Sequence, residues 1–262
     1  MMWRVFVVVS FLLSVLPVFS RERCDTLGKG GRIIGDYAYK DCRELRKVVV
    51  APGVTEIGEY AFLGCEELEE IVLPSSLQKI GEGAFRECRS LKGLVIPAGV
   101  TVVPRYMCAW CDSLERVDLP AGVKDIGSHA FAYCGSLEEI NLPAGLTHIG
   151  SNAFSFCRKL REIVVPSSMQ ELESYAFSDC SSLRRAVLPS NSKMLGELLF
   201  LGCHALEEIE CMSPVPPTFD CDSPLFDSSE SEMYIKVKLK VPPSSRGRYR
   251  KAKVWSLFTH MY

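Results

Sequence analysis

Residues 132–154 read AYCGSLEEINLPAGLTHIGSNAF, and the third of them, Cys134, has a cysteine 23 positions away on either side, at Cys111 and Cys157. Extending the ruler gives Cys42, Cys65, Cys88, Cys111, Cys134, Cys157, Cys180 and Cys203, eight of the chain's twelve cysteines. The rest of the stretch recurs with them. Leu137 stands three places after its cysteine, as do Leu45, Leu68, Leu91, Leu114, Leu160, Leu183 and Leu206 after theirs. Ile140 and Leu142 have aliphatic equivalents in the other units, and Pro143 is matched by Pro74, Pro97, Pro120, Pro166 and Pro189. Ile149-Gly150 repeats as Ile57-Gly58, Ile80-Gly81 and Ile126-Gly127, and Phe154 as Phe62, Phe85, Phe131 and Phe177. Self-similarity at a fixed period means a stack of coils, each burying its apolar residues against the next.

Each position has a physical task in such a coil. Around Glu139-Ile140-Asn141-Leu142 the apolar residues alternate with polar ones, the pattern of a short strand with one face inward. Proline ends it. Gly150 lets the backbone turn where a side chain would obstruct, and SNAFSFC suits a short helical or 3₁₀ segment that sets Phe154 and Cys157 on one face. At the inter-strand spacing of about 4.8 Å, eight coils give a solenoid about 35 to 40 Å long. The simplest reading of the cysteine column is an interior one, because Cys behaves as a small apolar side chain. A disulfide framework competes with it, although stacked Cβ vectors run parallel rather than toward one another. Cys24, Cys211 and Cys221 lie off the ruler and are the better candidates for bridges. Cys108 and Cys111 approach a metal-type spacing, yet Cys108 holds the phenylalanine position of its unit.

The unit C-x-x-L-x-x-I-x-L-P…I-G-x-x-A-F is similar to the BspA-like, or Treponema-type, leucine-rich repeat of bacterial surface proteins and some parasitic protists. The resemblance covers residues 34–211, and VPPSSRGRYRKAKVWSLF (241–258) resembles the segment that closes many such arrays in Bacteroidetes proteins. It implies an α/β repeat solenoid: a leucine-rich-repeat array of 23-residue coils with short parallel strands and short helical or 3₁₀ segments, closed by a C-terminal cap. For function it implies a secreted or cell-surface binding protein, some members being adhesins for host matrix proteins or other bacteria. It carries over no catalytic residue. Departures from the pattern stand at 103–108 (VPRYMC), at Leu172-Glu173 and at Leu199-Phe200.

The remaining sequence fits that outline. Residues 1–20 carry one cation, Arg4, before an apolar run ending in Val18-Phe19-Ser20, small at both cleavage-defining positions, the form of a signal peptide. Residues 21–33 are an N-terminal extension and 212–262 the expected cap. The overall charge of −2 is unevenly spread: residues 233–262 hold five Lys, three Arg and no acid, whereas 21–232 hold 21 basic and 32 acidic residues. Met233 to Val241 reads as a strand with Ile235, Val237, Leu239 and Val241 on one face and Lys236, Lys238 and Lys240 on the other, lysine being a protection for a terminal edge. With Arg246, Arg248 and Arg250 the same lysines form a candidate polyanion site. Outward strand positions form a second candidate, a ligand-binding column of Val49, Val72, Val95, Asp118, Asn141, Val164, Val187 and Glu210, although valine there also serves strand propensity. No catalytic motif or cofactor loop is found, nor any metal-ligand spacing apart from Cys108 and Cys111, and His129, His148, His204 and His260 read as solvated residues. The expected partner is a protein or glycan, a host matrix or another bacterial surface, with no nucleic acid and no membrane span after signal cleavage. The alternatives are an envelope-organising protein without a host ligand, or a hydrolase with an unrecognised site.

Overall fold

The computed structural model describes residues 6–8, 31–192, 194–219 and 225–262, in which the chain winds as about ten parallel coils of about 23 residues. The principal side of each coil is a short strand: Lys47–Val50, Glu70–Val72, Gly93–Val95, Arg116–Asp118, Glu139–Ile140, Glu162–Val164, Arg185–Leu188 and Glu208–Cys211. A second side carries two-residue strands from Ile33–Ile34 to Thr218–Phe219. Pairing is parallel and in the 23-residue register, Leu94 opposite Val117 and Ile126 opposite Ile149. The signal peptide expected at residues 1–20 lies outside the described residues, except for strand Phe6–Val8, which pairs parallel with Lys47–Val50. Cys24 and Cys221 also lie outside them.

The third side explains what the S-N-A-F-S-F-C segment does. Alternate amides make 3₁₀-type bonds inside the coil, Ala153 N to Gly150 O, Ser155 N to Asn152 O and Cys157 N to Phe154 O. The amides between them reach the next coil: Asn152 N to Ser174 O, Phe154 N to Ala176 O and Phe156 N to Ser178 O. Directing every second N–H along the stack requires two left-handed residues per coil. They recur at Tyr60, Tyr106, His129, Asn152 and Tyr175, and at Glu87, Trp110, Tyr133, Phe156 and Asp179, with φ between 52° and 62°. A non-glycine residue there costs about 1–2 kcal/mol, offset by the inter-coil hydrogen bond that its amide makes.

Inside, the phenylalanines form a stack with centroids 5.4 Å apart for Phe131–Phe154 and 5.6 Å for Phe62–Phe85 and Phe154–Phe177. The stack is interrupted at Cys108, where Met107 takes the preceding alanine position; both are fully buried, so a small–large pair has become a large–small one at nearly constant volume. The corner glycine is fixed by the closeness of coils rather than by an unusual φ. A Cβ on Gly150 would lie 2.5 Å from Ser128 N, and one on Gly81 2.5 Å from Glu59 N. The amide of this corner residue also bonds the preceding coil, Gly81 to Ile57 O and Gly127 to Val103 O. Pro104 has no N–H to give, and the minor sheet is interrupted at that level, between Lys79–Ile80 and Val102–Val103. The principal sheet is interrupted elsewhere, between Glu139–Ile140 and Glu162–Val164, where the minor strands His148–Ile149 and Glu171–Leu172 remain paired.

The last coil is closed differently from the strand expected over 233–241. Met233–Lys236 is a helical turn, and only Lys238–Lys240 pairs with Glu208–Cys211, itself followed by His260–Met261. The turn rotates Ile235 out of the alternation, leaving it 60% exposed rather than buried, while Val237, Leu239 and Val241 are buried as the alternation requires. Tyr249 and Trp255 complete the closure. Tyr249 Oη donates to Ser213 O at 2.9 Å and Trp255 Nε1 to Pro217 O at 2.8 Å.

Candidate recognition surface

The principal strands display every second side chain outward, so the outward column follows the same side of the stack across both parts of the principal sheet, with Asn141 just past its strand at the break. Val72, Val95 and Val164 are 47%, 59% and 50% exposed. Asp118 and Asn141 are exposed, and Val49, Val187 and Glu210 half-buried. Two shallow grooves run along this face, and Arg116 lines both. One, of about 490 Å³, lies over Val72, Gly93 and Val95 between Lys47, Glu70 and Lys92. The other, of about 960 Å³, lies over Asn141 and Val164 where the principal sheet is interrupted, and its walls bring together Glu115, Glu138, Glu139 and Glu162 against Arg116 and Arg161.

Charges along this face are mostly spent between coils. Arg46 reaches Glu69 at 3.2 Å, Lys47 reaches Glu70 at 2.9 Å, and Arg161 lies 3.5 Å from Glu138. Arg185 bridges Glu162, Glu208 and Glu210. Exposed pairs of this kind contribute about 0–1 kcal/mol each. Glu115 and Glu139 enter no ion pair among the described residues. The larger groove therefore offers carboxylates that a ligand can use.

The residues of the candidate polyanion site come from three elements. Lys236 lies in the helical turn with its Nζ near His204 O, Lys238 and Lys240 are on the strand, and Arg246, Arg248 and Arg250 follow in or just after helix Arg246–Tyr249. Lys240 is 3.0 Å from Glu210, so the two candidate sites meet in one ion pair. Lys240, with Arg185, holds the Glu210 carboxyl below the usual carboxylate range.

Two histidines depart from the solvated reading. His129 is half-buried and stacks on Tyr106 at 4.8 Å. His148 is half-buried between Asp125 and Glu173; burial alone would lower its pKa, but hydrogen bonds to those carboxylates outweigh burial and raise it. Ser151 Oγ bonds Glu173 at 2.6 Å rather than His148, so the cluster contains no serine–histidine nucleophile pair. The signal for it in the sequence is Glu173, which replaces the corner glycine.

The BspA type leucine-rich repeat model matches residues 26–137 and 101–218, in six copies. The chain belongs to the BspA-type leucine-rich repeat family. This BspA-type array resembles the leucine-rich repeat protein of T. pallidum, with 28% identity and a TM-score of 0.53 over 84% of this chain and 86% of that one. It also resembles a leucine-rich repeat protein of Bacteroides ovatus, with 29% identity and a TM-score of 0.64 over 80% of this chain and 58% of that one. A leucine rich cell surface protein of Faecalibacterium prausnitzii shares the fold at 24% identity and a TM-score of 0.50, over 88% of this chain and 76% of that one. No curated protein matches the sequence. As a BspA-type array, the chain is a recognition or binding repeat protein. Among the described residues, no helix is long and apolar enough to cross a membrane.

Proposed function

We propose that this BspA-type protein is a secreted or cell-surface adhesin that binds an extracellular protein across the outer face of its principal sheet. The observation that carries the reading is the pairing of exposed Val72 and Val95 in one groove with the carboxylates of Glu115 and Glu139 in the next. Apolar side chains without neighbours to cover them favour a partner that brings apolar contacts. Carboxylates without a basic partner favour one that brings Lys or Arg, which also speeds encounter and makes it salt-sensitive. The ligand is therefore read as a basic protein segment with an apolar anchor. The apolar run of residues 1–20 supports export, and the name of the F. prausnitzii relative agrees with a cell-surface location.

A panel of immobilised fibronectin, laminin and collagen, with whole bacteria as a separate arm, tests the reading. Saturable binding to at least one member that weakens between low and physiological salt is expected. Binding to none would contradict adhesion and favour the envelope-organising alternative.

A further inference from the structure

The face formed by the minor strands carries a different constellation. Asp125, His148 and Glu171 are register partners across three successive coils. Glu173, two residues beyond Glu171, stands at the corner that is glycine at 58, 81, 127, 150 and 196. Its Oε2 accepts from the amide and Oγ of Ser151 at 2.8 and 2.6 Å, leaving Oε1 facing His148 Nε2 at 2.9 Å. On the far edge of the ring Nδ1 meets Asp125 Oδ1 at 3.1 Å. Donor atoms of His148, Glu171 and Glu173 all lie within 4.8 Å of one another, with His148 and Glu173 half-buried and Glu171 exposed.

An ionised carboxylate only accepts, so Asp125 fixes the ring with the proton on Nδ1. Nε2 and Glu173 Oε1 then face each other at 2.9 Å, a separation that either a proton on Nε2 or a metal ion ligated by both atoms satisfies. A carboxylate behind the ring is also how proteins orient a metal-binding imidazole. We propose that His148, Glu171 and Glu173 bind a divalent first-row transition ion of the Zn²⁺ class, with Asp125 positioning the imidazole and Ser151 positioning Glu173. One imidazole and two carboxylates leave one place for water in zinc's four-coordinate shell. Calcium draws about six to eight oxygens, more than this corner supplies. With His148 on one coil and both glutamates on the next, the ion ties neighbouring coils together at a face separate from the principal sheet.

Calorimetric titration of the purified chain with ZnCl₂, and separately CaCl₂, tests the site. One Zn²⁺ per chain is expected, with Ca²⁺ weaker by at least about tenfold. Glu171→Gln and His148→Gln should each weaken Zn²⁺ at least about tenfold, and Asp125→Asn by about tenfold through loss of ring orientation. Glu171 is exposed and enters no ion pair among the described residues, so Glu171→Gln separates metal binding from folding. Zn²⁺ binding unchanged in both Glu171→Gln and His148→Gln would place the ion elsewhere on the chain and overturn the assignment. So would the absence of Zn²⁺ binding in the unsubstituted chain, with His148 then a protonated bridge between two carboxylates.

Discussion

The thiol of Cys157 donates to the carbonyl oxygen of Phe131, one coil earlier, at 3.3 Å. The same contact recurs from Cys65 to Tyr39, Cys88 to Phe62, Cys111 to Phe85, Cys134 to Cys108, Cys180 to Phe154 and Cys203 to Phe177. The ten described cysteines are free thiols, and those from Cys65 onward are buried. Cysteine holds this position because it is apolar enough for a dry interior yet still offers a weak donor to a carbonyl that already accepts one amide. Cys157→Ala should destabilise the array by about 1 kcal/mol. Cys157→Ser should cost about 1 to 3 kcal/mol, because the shorter C–O bond holds the hydroxyl back from Phe131 O in a dry site. Urea midpoints at constant slope measure both.

The column also sets a pH limit. Burial pushes the Cys65 and Cys157 thiols up to about 12 from 9.0, and raises Cys88, Cys134, Cys180 and Cys203 as well. Between these values the folded chain holds protons that the unfolded chain has released. Stability is then complete below about pH 9 and falls as pH rises toward about 12. Urea midpoints at pH 8 and pH 10.5 should differ, the higher pH being the less stable, and equal midpoints would show that the thiols are not buried in solution.

Two glycines should respond in opposite ways to alanine. A Cβ on Gly150 meets Ser128 N at 2.5 Å, whereas one on Gly135 meets nothing within 4 Å. Gly150→Ala should force neighbouring coils apart and cost more than about 2 kcal/mol. Gly135→Ala should be neutral or stabilising by up to about 1 kcal/mol through the unfolded chain. Thermal melts of the two variants decide it.

These contrasts also mark what could be read from the sequence alone. The Cys, Leu and Phe columns are legible because one residue type recurs at one spacing and its burial follows from polarity. The left-handed positions are not, since Tyr60, Glu87, Trp110 and Asn152 are four different residue types and no one type recurs through either column. The constellation at His148 was hidden because its members come from three coils and meet only once the stack is formed. Ile235 was misplaced because a strand-like alternation of Ile, Lys, Val and Leu continues into a helical turn that breaks it.

Closure of the last coil rests on apolar contact rather than on charge. Leu239 is fully buried beneath Lys238–Lys240, while Lys238 is exposed and Lys240 pairs at the surface with Glu210. Leu239→Asp should unfold the C-terminal coils or give aggregates on size-exclusion chromatography. The Lys236, Lys238 and Lys240 to Gln triple variant should stay folded within about 1 kcal/mol of the parent. Equal instability in the two would refute this division.

The central claim, that the outer face of the principal sheet is the recognition surface, is tested most directly by surface-plasmon binding to whichever matrix protein the chain captures, comparing the parent with Val95→Asp and Glu139→Lys. Both side chains are exposed, so circular dichroism and melting should be unchanged. Each variant is predicted to lose at least about tenfold in affinity, about 1.4 kcal/mol, with Glu139→Lys also losing part of the salt dependence. Parent-like binding by both folded variants would contradict the claim.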